Sequence, residues 1–497
     1  MKDAEAIVIG SGFGGLAAAL RLLARGYRVT VCEQLDAPGG RAYVYRQDGF
    51  TFDAGPTIVT APFLLEDLWA LFGKKLSDDV QLIPVDPYYR IRFADGSHFE
   101  YSGDVSAMKA EIARFCPADV AHYDRFLKAS QRLYEVGFDQ LLYESFDSPW
   151  KMLKCLPDLF RTRVYSTVFR MVKSFFSDPR LQMVFSFHPL LIGGNPMTTT
   201  AIYLLIAHLE RSHGVHYAMG GTGSIINAMV KLIEAQGGVM RYNSQVQEIL
   251  LKNGRASGVR LAVGETLDAD MVVSNADAAA TYRYLLPEQY RRRWTNRKLA
   301  RTHYSMSLFV WYFGTRRQYP EVPHHMILLG PRYGGLLKDI FKRKVLAEDF
   351  SLYLHRPTAS DPGMAPEGCD AFYVLSPVPN LQAGIDWRKQ AEPYRQAIEQ
   401  HLAATVLPDL KENVVTSLML TPQEFQDRLG SVAGAAFSFE PRLTQTAWFR
   451  PHNISEEVPG LYLVGAGTHP GAGLPGVISS AKVLDNLLAE RERRAAR

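Results

Sequence analysis

The stretch "AIVIGSGFGGLAAALRLLARGYRVTVCE", residues 6 to 33, decides the fold. An apolar run at 6 to 9 reads as a strand, and Gly10-x-Gly12-x-x-Gly15 follows it directly. A small-residue helical segment, Leu16 to Ala24, leads to a second strand, Tyr27 to Cys32, which ends at Glu33. In a dinucleotide-binding βαβ unit, Gly10 permits the tight turn, Gly12 lets the backbone approach a pyrophosphate, and Gly15 lets helix and strand pack closely. The helix start offers unpaired N–H groups and a positive dipole end to phosphates. Phe13 and Gly14 lie in the same loop. Glu33, about 20 positions beyond the first glycine as such units require, accepts hydrogen bonds from a ribose and repels a 2′-phosphate, which argues against NADP. These residues leave NAD and FAD both open.

Working outward, the chain has 497 residues, enough for about two to four domains at roughly 150 residues each. Apolar residues at 47% and charged residues at 21% describe an ordinary folded protein. A net charge of +4 gives no reason to expect nucleic acid. The four cysteines, Cys32, Cys116, Cys155 and Cys369, are far apart, so neither a disulfide framework nor a CxxC metal site is expected. No secretory signal is expected from "MKDAEAIVIGSG", and the apolar stretch at 198 to 214 is too short to span a bilayer.

The segment that follows the acid separates the two cofactors. "GGRAYVYRQDGFTFDAGPT", 39 to 57, places Gly39-Gly40-Arg41 just beyond Glu33, and closes on Gly55, Pro56 and Thr57. As turns, Gly-Gly and Asp-Gly need no further explanation. The combination nevertheless resembles the flavin-containing amine oxidase superfamily, where such a loop passes the pyrophosphate and ribityl end of FAD.

With "FSFHPLLIGGNP" at 185, "YAMGGTGSIINAMVKLIEAQGG" at 217, "SNAD" at 274, "TQTAWFRPHN" at 444 and "GLYLVGAGTHPGAGLPGVISSAK" at 460, the chain resembles the bacterial phytoene desaturase family over essentially its full length. The C-terminal motif is the most specific of these. The resemblance implies a flavoprotein that removes hydrogen from phytoene, lengthening its conjugation toward lycopene or neurosporene. Hydride goes to the flavin, a proton is lost, and electrons pass on to a quinone or to oxygen. A related carotenoid isomerase, ketolase or desaturase, and a non-enzymatic prenyl-lipid carrier of the same fold, stand as alternatives.

The fold expected is α/β: a Rossmann-like FAD-binding domain interleaved with a mixed-sheet substrate domain and a helical membrane-facing region. Residues 1–75, 215–280 and 440–497 are assigned to the FAD domain, 76–110 and 281–439 to the substrate domain, and 111–214 to the helical region. In the superfamily a strand ends near the adenine, which offers Val246 as a backbone contact; plain sheet core is the other reading. In "GAGTHPGAGLPG", 465 to 476, the glycine spacing departs from GxGxxG, although a strand precedes and a helix follows. Gly465, Gly467 and Thr468, with Gly476 and Val477 at the helix start, then close the same FAD site. His469 and Pro470 fall near its ring end.

In "PWKMLKCLPDLFRTRVYSTVFRMVKSFF", 149 to 176, apolar residues from Leu153 to Phe175 recur at helical spacing beside Lys154, Arg161, Arg163 and Arg170. That pattern suits an interfacial helix on anionic lipid, or a helix packed on its own domain with a solvated basic face. Because phytoene is insoluble in water, the resemblance implies monotopic attachment on the cytoplasmic side of the membrane. "FSFHPLL", 185 to 191, and "SMSLFVWYFG", 305 to 314, fit a tunnel wall or an ordinary core. His213, His216 and the pair His324-His325 lack nearby Cys or carboxylate partners, so no metal is expected. No catalytic base is identified; a carboxylate or histidine facing the tunnel would serve.

Overall fold

A computed structural model describes residues 4–495. The first three and last two residues of the expected FAD-domain ranges lie outside the described residues.

The opening stretch forms a strand, Glu5–Ile9, a helix, Phe13–Ala24, and a second strand, Arg28–Cys32, parallel to the first. Three further parallel strands, Val239–Arg241, Met271–Ser274 and Leu461–Leu463, complete a five-stranded sheet. Its strand order puts Met271–Ser274 beside Glu5–Ile9 and Leu461–Leu463 beyond it, so the tail of the chain pairs next to its middle. Met271–Ser274 is buried along its whole length, as a parallel strand covered on both faces must be.

The first helix is almost wholly buried because its small residues allow close packing; Leu16, Ala17 and Ala19 are fully inaccessible. A Cβ on Gly15 would stand 2.0 Å from the Gly10 carbonyl oxygen, so only glycine fits there. This helix packs on the last one, Leu474–Ala495. Arg21 pairs with Asp67 and reaches Asp485 at 3.3 Å, while Arg25 pairs with Asp485 and lies 2.9 Å from Glu492.

The second unit is a seven-stranded mixed sheet in the order Val414–Leu420, Ser307–Thr315, Asp370–Val378, Leu352–His355, His325–Leu328, Tyr89–Arg92, His98–Tyr101. One junction is parallel, between His325–Leu328 and Tyr89–Arg92; the other junctions are antiparallel. The strand Ser307–Thr315 is buried throughout. Phe309, Trp311 and Phe313 pack against Trp387, Ile398 and Leu402 of the helix Trp387–Thr405. Met306, Leu308 and Val310, alternating with them, face the other way.

Residues 111–214 are predominantly helical. The stretch 149–176, whose helical spacing suggests an interruption near Pro157, forms two helices, Pro149–Arg161 and Val168–Lys173, separated by a turn. The break falls after Arg161, where Arg163 takes a positive φ of 56°. The Thr167 hydroxyl then caps the second helix by accepting from the Arg170 N–H at 3.3 Å. Pro157 sits inside the first helix without ending it. No described helix is long and apolar enough to cross a membrane.

Candidate functional site

The two units share a cavity of about 850 Å³. All the sequence-predicted site residues line it except Gly15, Gly467 and Thr468. Gly10, Gly12, Phe13 and Gly14 come from the first strand-to-helix turn, Glu33 from the end of the second strand, and Gly39, Gly40 and Arg41 from the loop beyond. Gly55, Pro56, Thr57 and Val246 join them, and Gly465, Gly476 and Val477 close the circuit from the C-terminal loop. The three exceptions stand behind this lining. Gly15 packs under Gly10, a Cβ on Gly467 would meet that of Ala278 at 2.6 Å, and the buried Thr468 hydroxyl donates to the Pro451 carbonyl at 2.6 Å.

Two helix starts open on the cavity. Gly12 is the N-cap of Phe13–Ala24, and no side chain caps it, so the first-turn N–H groups remain available to a ligand. Gly476 and Val477 present the first turn of the last helix. Glu33 is buried and tied to the glycine loop: Oε2 accepts from the Ser11 N–H at 2.8 Å and hydroxyl at 2.7 Å, and Oε1 from the Leu35 N–H at 3.0 Å. A carboxylate offers about four acceptor positions, so capacity remains for a ribose hydroxyl.

Asn275, Asp277 and Ser431 complete the polar wall. Asn275 Nδ2 donates to the Gly10 carbonyl at 3.4 Å, and Asp277 caps a short helix by accepting from the Ala279 N–H at 3.0 Å. Arg41 Nη2 donates to the Ser431 hydroxyl at 3.0 Å. Burial lowers the Arg41 pKa and raises that of Asp277, each opposed by the other's charge. Arg41 Nε and Asp277 Oδ2 are buried without partners. Two unfilled polar atoms of opposite character, beside two open helix starts and a ribose-competent acid, match the donor set an adenine dinucleotide needs. "SNAD" marks Asn275 and Asp277 in sequence, but no spacing rule links Ser431 to Arg41.

Much of the rest of the wall is apolar. Met306, Leu308 and Val310 come from the sheet, Phe187 and Leu190 from the helical region, and Leu159 from the helix Pro149–Arg161. In the aromatic run, Leu308 and Val310 line the cavity while Phe309, Trp311 and Phe313 pack in a core on the other face of the strand.

A carboxyl group and an imidazole also sit on this wall. Glu210 is buried and doubly held: the Tyr89 hydroxyl donates to Oε1 at 2.8 Å, and His188 Nε2 lies 3.1 Å from Oε2. His469 lies 3.0 Å through Nε2 from the Leu141 carbonyl. A carbonyl only accepts, so Nε2 carries the proton and Nδ1 the lone pair. Burial, opposed by that hydrogen bond and aided by Arg450, lowers the His469 pKa to about 4.

Outside the cavity, His213 and His216 make ordinary contacts with Tyr134 and the Val59 carbonyl. His324 and His325 are joined by His355, about thirty positions on, in one buried group.

A dinucleotide cradle that opens onto an apolar chamber defines a flavin-dependent oxidoreductase. The model of the flavin-containing amine oxidoreductase family matches residues 13–483, and the chain belongs to that family, with FAD as its cofactor. Within the family it is 52% identical to the neurosporene-forming phytoene desaturase of Cereibacter sphaeroides, over 100% of this chain and 97% of that one. It is 46% identical to the lycopene-forming phytoene desaturase of Pseudescherichia vulneris, over 98% and 99% of the two chains. Among solved structures, an oxidoreductase from Methanosarcina mazei superposes with a TM-score of 0.64 at 18% identity, covering 98% and 100%, which establishes the fold alone.

Proposed function

We propose that this chain desaturates phytoene toward neurosporene or lycopene, using FAD and passing its electrons to a quinone or to oxygen. The observation that carries this reading is the single cavity in which a dinucleotide cradle and an apolar wall meet. Full-length identity to phytoene desaturases supports the substrate.

Gly10 to Gly14, Glu33, Gly39 to Arg41, Val246, Gly465, Gly476 and Val477 hold FAD, while Gly15, Gly467 and Thr468 support the loops that do so. When bound, FAD accepts hydride from a C–H bond. Leu308, Val310 and Phe187 orient the polyene and keep water away from it. His469 Nδ1 takes the proton lost from the neighbouring carbon. A weak base suffices, because a carbon beside an allylic cation is strongly acidic. Glu210 is held in place on the cavity wall by Tyr89 and His188.

The helix Pro149–Arg161 lends itself to substrate entry. Met152 and Leu159 line the cavity, while Trp150 and Phe160 are 71% and 65% exposed, with Arg161 and Arg163 beside them. Large exposed apolar side chains next to basic ones favour peripheral attachment to an anionic bilayer on the cytoplasmic side.

The test is anaerobic mixing of the FAD-loaded chain with phytoene-containing liposomes. Bleaching of the flavin's visible absorbance, with conversion of phytoene, is expected. An oxidised flavin that persists beside phytoene overturns the reading. His469→Gln is expected to slow bleaching by about 10²- to 10⁴-fold with FAD still bound; unaltered bleaching removes His469 from the reaction.

A further inference from the structure

The strand His325–Leu328 pairs antiparallel with Leu352–His355 in a register that sets His325 opposite His355. His324, just before the strand, turns toward the same place. Its ring centroid lies 4.5 Å from that of His325 and 4.8 Å from that of His355, and His325 and His355 are 5.1 Å apart. One ring nitrogen from each histidine lies within 4.8 Å of the others, and all three side chains are buried.

The hydrogen bonds fix the tautomer of His355 and engage Nδ1 of all three rings. His355 Nδ1 lies 3.3 Å from the His324 carbonyl, which only accepts, so His355 Nε2 carries a lone pair. His325 Nδ1 meets the Tyr353 hydroxyl at 2.7 Å, and His324 Nδ1 meets the Ser360 hydroxyl at 2.8 Å. Nε2 of all three rings is buried without a partner. Each imidazole is thus tied to an oxygen through one nitrogen and presents the other bare, as metal-bound histidines do. Burial lowers the His324 pKa to about 3 and holds those of His325 and His355 well below the usual value, leaving the neutral form that a metal takes.

We propose that His324, His325 and His355 bind a divalent first-row transition ion, zinc foremost, through three imidazole nitrogens. Binding at about 2.0–2.1 Å from each nitrogen draws the three rings inward and leaves a fourth position in a tetrahedral set. The Tyr217 ring packs edge-on against His324, with ring centroids 4.6 Å apart, and its hydroxyl is buried. Neutral nitrogen ligands suit zinc, copper, iron and nickel rather than calcium or magnesium. Burial, with Asp53 and Asp361 nearby, holds the Tyr217 phenol protonated, and Arg356, which opposes the ion, is itself paired with Asp370 at 3.3 Å.

The ion joins the start of one strand to the end of its neighbour. It is also connected to the cavity, because the Tyr353 hydroxyl that holds His325 lies 3.0 Å from the Thr57 hydroxyl on the cavity wall. An ion here fixes that part of the wall.

The experiment uses the FAD-loaded full chain without an affinity tag, grown with zinc and dialysed against a weak chelator. Elemental analysis is expected to find about one zinc ion per chain. His325→Ala and His355→Ala are expected to lower that content by about tenfold or more, and His216→Ala, outside the group, to retain it. Where the alanine variants fail to fold, the native chain still decides. Stripped of zinc and titrated with cobalt(II), it is expected to develop the intense visible bands of tetrahedral coordination, reversed by zinc. A native chain that holds no metal and shows no such bands overturns the proposal, as does zinc content unchanged in folded His325→Ala and His355→Ala.

Discussion

Gly467 is proposed to support the FAD site without facing it. Its missing Cβ would stand 2.6 Å from the Ala278 Cβ and 3.0 Å from the Ala278 backbone nitrogen, so valine there must displace the loop that carries Gly465 and His469. Gly467→Val is expected to lower co-purified FAD several-fold, as read from the flavin spectrum per chain; a normal flavin content contradicts this role. At His469 the expectation concerns pH. Its pKa of about 4 in the folded chain lies below the 6.5 of a free histidine, so the unfolded chain binds more protons between those values. The resulting stability is intact above about pH 6.5 and is lost, at about 1.4 kcal/mol per pH unit, as pH falls toward 4. Urea midpoints between pH 7 and 4.5 are expected to fall less steeply in His469→Gln than in the native chain. At this scale the turn at Gly12 and the strand that ends before Glu33 were legible, because their spacing is local. Ser431 was not, since its bond to Arg41 spans the chain and follows no periodicity.

At the scale of elements, the helix Pro149–Arg161 carries the most consequence. One face reaches the cavity through Met152 and Leu159, and the other exposes Trp150, Leu153 and Phe160. Burying one large apolar side chain contributes about 1.5–3 kcal/mol. Replacing Trp150 and Phe160 together with serine is therefore expected to weaken binding to anionic liposomes by tenfold or more in co-sedimentation, without loss of FAD. Undiminished binding assigns attachment to another surface. The helical period was legible here, but its end was not, because Val164 and Val168 continue the apolar spacing while entering the protein core instead. The strand Ser307–Thr315 teaches the converse. Both of its faces are apolar, so alternation is invisible in the sequence, and only the fold separates the face toward the cavity from the face toward Trp387.

Across the whole molecule, the parallel-sheet unit draws on residues near 5–32, 239–274 and 461–463, and the seven-stranded sheet on segments inserted between them. Such interleaving makes FAD a fastener between distant parts of one chain. Ligand binding to the folded state at a hundred times its dissociation constant adds about 2.7 kcal/mol, so FAD is expected to raise the melting temperature of flavin-stripped chain. An unchanged melting temperature would place FAD outside the folded core. The three segments of the parallel sheet lie beside motifs that are dispersed along the sequence. The three-histidine group was not legible, because it depends on an antiparallel register that joins His325 to His355. The central claim is that the shared cavity desaturates phytoene, and it is tested most directly by expressing the chain in cells that accumulate phytoene and cannot desaturate it. The account predicts coloured extracts with the absorption of neurosporene or lycopene; colourless cells that contain folded, FAD-loaded chain and unchanged phytoene would contradict it.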